Sequence, residues 1–80
     1  MKLELFMFEG CPYCRRVTDE IARQGRTDIE IRDTMKDPAN RERLIREGGM
    51  SQVPCLFIDG RPLYESLDIV DWLRENPQSA

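Results

Sequence analysis

Histidine is absent from this 80-residue chain, which removes the side chain most often used as a general base and as a neutral metal ligand. Cysteine is scarce as well: Cys11, Cys14 and Cys55 are the only three. A structural zinc site takes four nitrogen or sulfur ligands, so three sulfurs without an imidazole disfavour zinc, and no metal is expected. An excess of positive charge is also missing. Twelve Lys and Arg stand against fifteen Asp and Glu, a net charge of −3, and no basic stripe stands out, which argues against nucleic acid as a partner. No stretch approaches the roughly 18 apolar residues of a membrane span, and no apolar leader with a cleavage site follows Met1. The expectation is a cytoplasmic protein with no membrane partner. Repeats and low-complexity linkers are lacking too, so residues 1–80 read as one domain. A chain of this size buries only about 60% of its unfolded surface, and its core must be small and well packed.

Against these absences stands Cys11-Pro12-Tyr13-Cys14, placed directly after the apolar run Leu3 to Phe8 and opening a helix-forming segment. Unpaired backbone N–H groups and the dipole at a helix start favour thiolate over thiol. In Cys-X-X-Cys contexts such effects generally bring the first thiol from about 8.5 to roughly 3.5–7.5. Cys11 stands at the helix start and is the candidate nucleophile; Cys14, one turn inside, is the candidate resolving thiol. Pro12 suits the first helical turn, where a missing N–H is no loss. In a reducing compartment a cysteine pair is more often catalytic or metal-binding than a structural bridge.

The patterning predicts seven elements. Leu3 to Phe8 reads as a buried strand, and a helix follows from about Pro12 to Gln24, with Val17 and Ile21 inward and Arg15, Arg16, Asp19 and Glu20 outward. Gly25 is its stop. Asp28 to Asp33 alternates as a strand. Asp37-Pro38 caps a second helix that ends at Gly48-Gly49, with Leu44 and Ile45 as core contacts and Arg41 to Arg46 as a solvated face. Val53 to Ile58 is the strongest strand, and Asp59-Gly60 turns it into a return strand, Arg61 to Tyr64, placed at an edge by Pro62. Ser66 reads as the N-cap of a last helix carrying Leu67, Ile69, Val70 and Leu73 inward and ending at Asn76-Pro77. The order β-α-β-α-β-β-α implies a parallel first pair, an antiparallel last pair and a mixed four-stranded sheet with three helices.

With Cys11-Pro12-Tyr13-Cys14 after the first strand and Val53-Pro54 opening the third, the chain resembles a dithiol glutaredoxin of the thioredoxin-like fold, an α/β architecture. The run from Val53 through Asp59-Gly60 to Leu63-Tyr64-Glu65-Ser66 is similar to the N-terminal domain of glutathione transferases. The resemblance implies a cis Val53–Pro54 bond packed beside the thiols. It also implies a thiol–disulfide oxidoreductase with glutathione as co-substrate, acting as a monomer on disulfide-containing or glutathionylated proteins. Its glutathione site would use Tyr13, Val53, Pro54, Glu65 and Ser66. Val53 would offer backbone N–H and C=O to an added short strand, while the Ser66 helix start would hold a carboxylate.

The chain departs from the glutaredoxin pattern at two places where that family often carries a cation: Phe8 stands three residues before the first cysteine, and Met50-Ser51-Gln52 precedes Val53. Arg15, Arg46 and Gln52 are the candidate substitutes. Cys55 reads as core packing, and Trp72 as a residue packed on the sheet or half exposed. Other readings stay open at this point: a redoxin reduced by a flavoprotein reductase, a glutathione-dependent iron–sulfur binding module, and a transferase-like docking domain.

Overall fold

The computed structural model describes residues 1–79. Seven elements follow one another: β1 Leu3–Met7, α1 Pro12–Gln24, β2 Ile29–Asp33, α2 Pro38–Gly48, β3 Cys55–Ile58, β4 Arg61–Tyr64 and α3 Ser66–Glu75. The sheet order is β2-β1-β3-β4. β1 runs parallel to β2, with Leu5 opposite Ile31, and antiparallel to β3, with Leu5 opposite Leu56. β3 and β4 form the antiparallel hairpin, in which Pro62 faces Phe57 from the outer strand. This is the thioredoxin-like arrangement of three helices on a mixed four-stranded sheet.

Side-chain alternation divides the core in two. Leu3, Leu5, Met7 and Leu56 point to one face and pack with Cys14 and Val17 of α1 and with Ile69, Val70 and Leu73 of α3. Phe6, Cys55 and Phe57 point to the other face and meet Leu44 of α2. Trp72 is partly buried against the first cluster. The helix ends are set by local chemistry. The Asp37 carboxylate accepts the Ala39 N–H at 3.0 Å, and Gly25 closes α1 at φ 66, a conformation costly for any residue with a Cβ.

Several expectations need correction. β3 begins at Cys55 rather than Val53, and the Val53–Pro54 peptide ahead of it is cis, as the resemblance implies. Ser66 is the first helical residue rather than the N-cap; Glu65 holds the cap position at φ 72 and makes no side-chain capping bond. Ile45 and Leu67 are 40% and 61% exposed, not core. Each neighbours the residue that does face inward, Leu44 or Ser66. Glu20 is buried rather than outward. It joins α1 to α3 by accepting from Arg74 Nη2 at 3.0 Å, and within α1 it accepts from Gln24 Nε2 at 2.8 Å and pairs with Arg23. The face from Arg41 to Arg46 is not wholly solvated, since Arg43 turns inward to Glu4 of β1. Arg26, unremarked in the sequence, is buried and donates to the Leu73 and Asn76 carbonyls at 3.0 and 2.8 Å, satisfying the end of α3.

Candidate active site

Three segments converge at one end of the sheet: the β1–α1 turn, the loop before β3 and the start of α3. Cys11 is the N-cap of α1, in extended conformation, and its Sγ accepts the Cys14 N–H at 3.3 Å. One of the orphan amides of the helix start is thereby aimed at the sulfur, an arrangement that stabilises negative charge on it. Cys11 is 8% exposed and Cys14 only 1%, so a disulfide arriving from solvent meets Cys11 first. Burial, reinforced by the hydrogen bond with Cys11, pushes the Cys14 thiol from 9.0 up to about 12. Cys14 is therefore a neutral thiol at physiological pH, and the two sulfurs are chemically inequivalent although they share one helical turn.

A groove of about 380 Å³ is lined by Tyr13, the residue between Pro12 and Cys14, together with Gln52, Val53, Pro54, Glu65 and Ser66. Every residue that the resemblance named for glutathione therefore borders a single concavity. Tyr13 is 60% exposed on its wall. Gln52 Nε2 donates to Glu65 Oε1 at 3.2 Å, tying the loop before β3 to the start of α3. Ser66 is buried, and its hydroxyl accepts from Arg16 Nη1 at 3.1 Å.

Of the candidate substitutes for the missing cations, only Gln52 reaches this groove. Arg15 lines a different cleft of about 240 Å³ with Phe8 and Cys11, and Arg46 donates to its neighbour Glu47 at 3.3 Å on α2. Arg16 was missed. Its guanidinium lies 5.8 Å from the centroid of the Tyr13 ring, and the signal available in the sequence was the i, i+3 spacing that puts Arg16 over Tyr13 on one helix face. Cys55 faces the opposite side of the sheet from Cys11 and Cys14, so the third thiol is separated from the pair by the sheet itself. Among the described residues, no cluster of three His, Cys, Asp or Glu is placed to hold a metal ion.

The sequence model of the glutaredoxin family matches residues 3–63. The chain belongs to the glutaredoxin family. It is similar to glutaredoxin 3 of Escherichia coli strain K12, with 32% identity over 59 residues that cover 74% of this chain and 70% of that protein. Solved structures share the fold, two of them as follows. The holo form of glutaredoxin C1 from Populus tremula x tremuloides superimposes at TM-score 0.70 and 21% identity, over 92% of this chain and 75% of that one. Glutathione transferase Omega 3C from Trametes versicolor does so at TM-score 0.78 and 20% identity, over 94% of this chain and 33% of the transferase. Family and fold together support glutathione-dependent thiol–disulfide exchange in general.

Proposed function

We propose that this protein reduces protein disulfides and protein–glutathione mixed disulfides through Cys11 and Cys14, with glutathione as the electron donor. The observation that carries the proposal is the inequivalence of the two sulfurs, on the helix whose Tyr13 lines a groove with Gln52, Val53, Pro54, Glu65 and Ser66. One sulfur accepts a helix-start N–H, and the other is buried and neutral.

On a glutathionylated protein, the Cys11 thiolate attacks the glutathione sulfur. A Cys11–glutathione disulfide forms and the protein thiolate leaves with its electron pair. A second glutathione thiolate then attacks the glutathione sulfur of that intermediate, releasing oxidised glutathione and restoring Cys11. On a protein disulfide, Cys11 attacks one protein sulfur, and the other protein sulfur leaves as thiolate. Cys14, losing its proton as it attacks, displaces the first protein sulfur and leaves a Cys11–Cys14 disulfide. Two glutathione molecules return that disulfide to the dithiol and become oxidised glutathione. The Cys14 N–H that faces Cys11 Sγ also serves when Cys11 is the leaving group, since a stabilised thiolate departs faster. Tyr13, Val53, Pro54, Glu65 and Ser66 would hold glutathione in the groove. The protein would work as a monomer in the reducing cytoplasm.

The test uses wild type, Cys11→Ser and Cys14→Ser with a glutathionylated protein and with a protein disulfide. Turnover is followed by coupling to glutathione reductase. Cys11→Ser is expected to be inactive on both, and Cys14→Ser to retain activity on the glutathionylated protein alone. Turnover by Cys11→Ser, or wild-type reduction by thioredoxin reductase in place of glutathione, would overturn the assignment.

A further inference from the structure

The lining of the groove contains one carboxylate, Glu65, and no cation. Glutathione at neutral pH carries two carboxylates and one ammonium. A groove of negative character facing a ligand of net negative charge leaves at least one carboxylate without a partner, and an unpaired ionic group removed from water is costly. Arg15 lines a separate cleft with Cys11, and Arg46 bonds Glu47 on α2.

Arg16 is the cation the structure brings to this place. It projects from the second turn of α1 toward the start of α3, where Nη1 donates to Ser66 Oγ at 3.1 Å. Its guanidinium also lies 5.8 Å from the Tyr13 ring centroid. Ser66, Tyr13 and Glu65 border both the glutathione groove and a second concavity that Arg16 lines, so the guanidinium stands at the junction of the two. A guanidinium has five N–H donors. The bond to Ser66 employs one, leaving others for an anion.

We infer that Arg16 is a specificity-determining residue that binds the α-carboxylate of the γ-glutamyl residue of glutathione. The inference rests on the glutathione reading of the groove. The choice between the two carboxylates follows from the neighbours. The γ-glutamyl end carries its carboxylate and ammonium on the same carbon, so it needs a cationic and an anionic partner side by side. Arg16 and Glu65 are such a pair, brought together by Ser66, which bonds Arg16 and directly follows Glu65 in the chain. The free N–H groups at the start of α3 add to the same charge preference. The glycine carboxylate has no ammonium beside it and gains nothing from Glu65.

The experiment compares wild type, Arg16→Gln and Arg16→Lys in steady-state reduction of a disulfide substrate. The donor is either glutathione or γ-aminobutyryl-cysteinylglycine, the analogue that lacks only the α-carboxylate. Direct reduction of the oxidised protein by dithiothreitol checks that each variant is folded and its cysteine pair competent. With glutathione, Arg16→Gln is expected to raise KM about tenfold with kcat little changed, as suits loss of one charge-assisted bond at a half-open site. Arg16→Lys should recover part of that loss. With the analogue, wild type and Arg16→Gln should have the same KM. A tenfold loss with both donors, or none with either, would overturn the role of Arg16 while leaving glutathione use intact. A wild type reduced by dithiothreitol but showing no saturation with glutathione would overturn the groove assignment and this inference together.

Discussion

Arg43 of α2 reaches Glu4 of β1 on the sheet face that α2 covers, placing Nη2 2.9 Å from Oε1, while its guanidinium lies 5.5 Å from the Phe6 ring centroid and 5.6 Å from that of Phe57. Glu4 is 1% exposed, and Arg32 from β2 adds a bond to its Oε2 at 3.0 Å. The strand, the neighbouring strand and a helix are thus joined at one carboxylate. Such a group is strongly destabilising if either partner is removed, because the remaining charge stays buried.

Acid should therefore weaken the fold through Glu4. Its hydrogen bond with Arg43, aided by Arg32 and opposed by burial, holds the carboxyl at about 2 instead of 4.5. A depressed carboxyl contributes stability that is present above pH 4.5 and lost as pH falls toward 2, about 3 kcal/mol at most. Urea denaturation should show wild type losing stability over this window. Glu4→Gln should be about 2–3 kcal/mol less stable at pH 7 and show a shallower decline in acid. Parallel declines in the two proteins would refute the role of Glu4.

Gly48 gives a case in which packing reverses a propensity. A Cβ at this last residue of α2 would lie 2.6 Å from the Tyr64 hydroxyl and 3.3 Å from Leu44 Cδ1. The hydroxyl is held by its bond to the Met50 carbonyl at 3.1 Å. Alanine normally improves a helix over glycine by about 1 kcal/mol, yet Gly48→Ala should destabilise this protein by about 1–2 kcal/mol. Combined with Tyr64→Phe, which removes the clashing oxygen, the same change should cost less or become favourable. Equal costs in both backgrounds, measured by denaturant unfolding, would exclude the clash as the cause.

Alkali should act through the third thiol. Burial raises Cys55 from 9.0 to about 11, against a smaller opposing effect of the neighbouring Tyr64 hydroxyl. The unfolded chain then gives up the proton before the folded one, so stability is full below pH 9 and is lost as pH rises through 11. Cys55→Ala should be less stable at pH 8, where a small cavity is the whole effect, and should decline less between pH 9 and 11. A decline matching wild type throughout that range would show that another group is responsible. Cys14, raised from 9.0 to about 12, adds its own loss from pH 9 upward, which is why Cys55→Ala should decline less than wild type and not cease to decline.

The sequence made the architecture readable because nearly every element is punctuated. Asp37-Pro38 and Gly25 set helix ends, Asp59-Gly60 sets the hairpin, and alternation at Leu3, Leu5 and Met7 sets the buried face. The cysteine pair was readable for a similar reason, since its position at a helix start follows from neighbouring residues. What escaped was decided by distant partners. Glu20 and Arg43 look like ordinary surface charges until Arg74 and Glu4, far away in the chain, are brought beside them. Arg16 looked equally ordinary, because Ser66 lies 50 positions away. The cis Val53–Pro54 bond that the resemblance implies is present, while the onset of β3 lies two residues later than the apolar pattern indicates.

Pro62 has a consequence for the molecule in a crowded solution. β4 is the outer strand, and this residue has no amide hydrogen to offer. A stray extended segment aligning there would find a rung missing from the ladder it tries to build. That flank is thereby blunted against runaway strand addition, the usual hazard of a small open sheet.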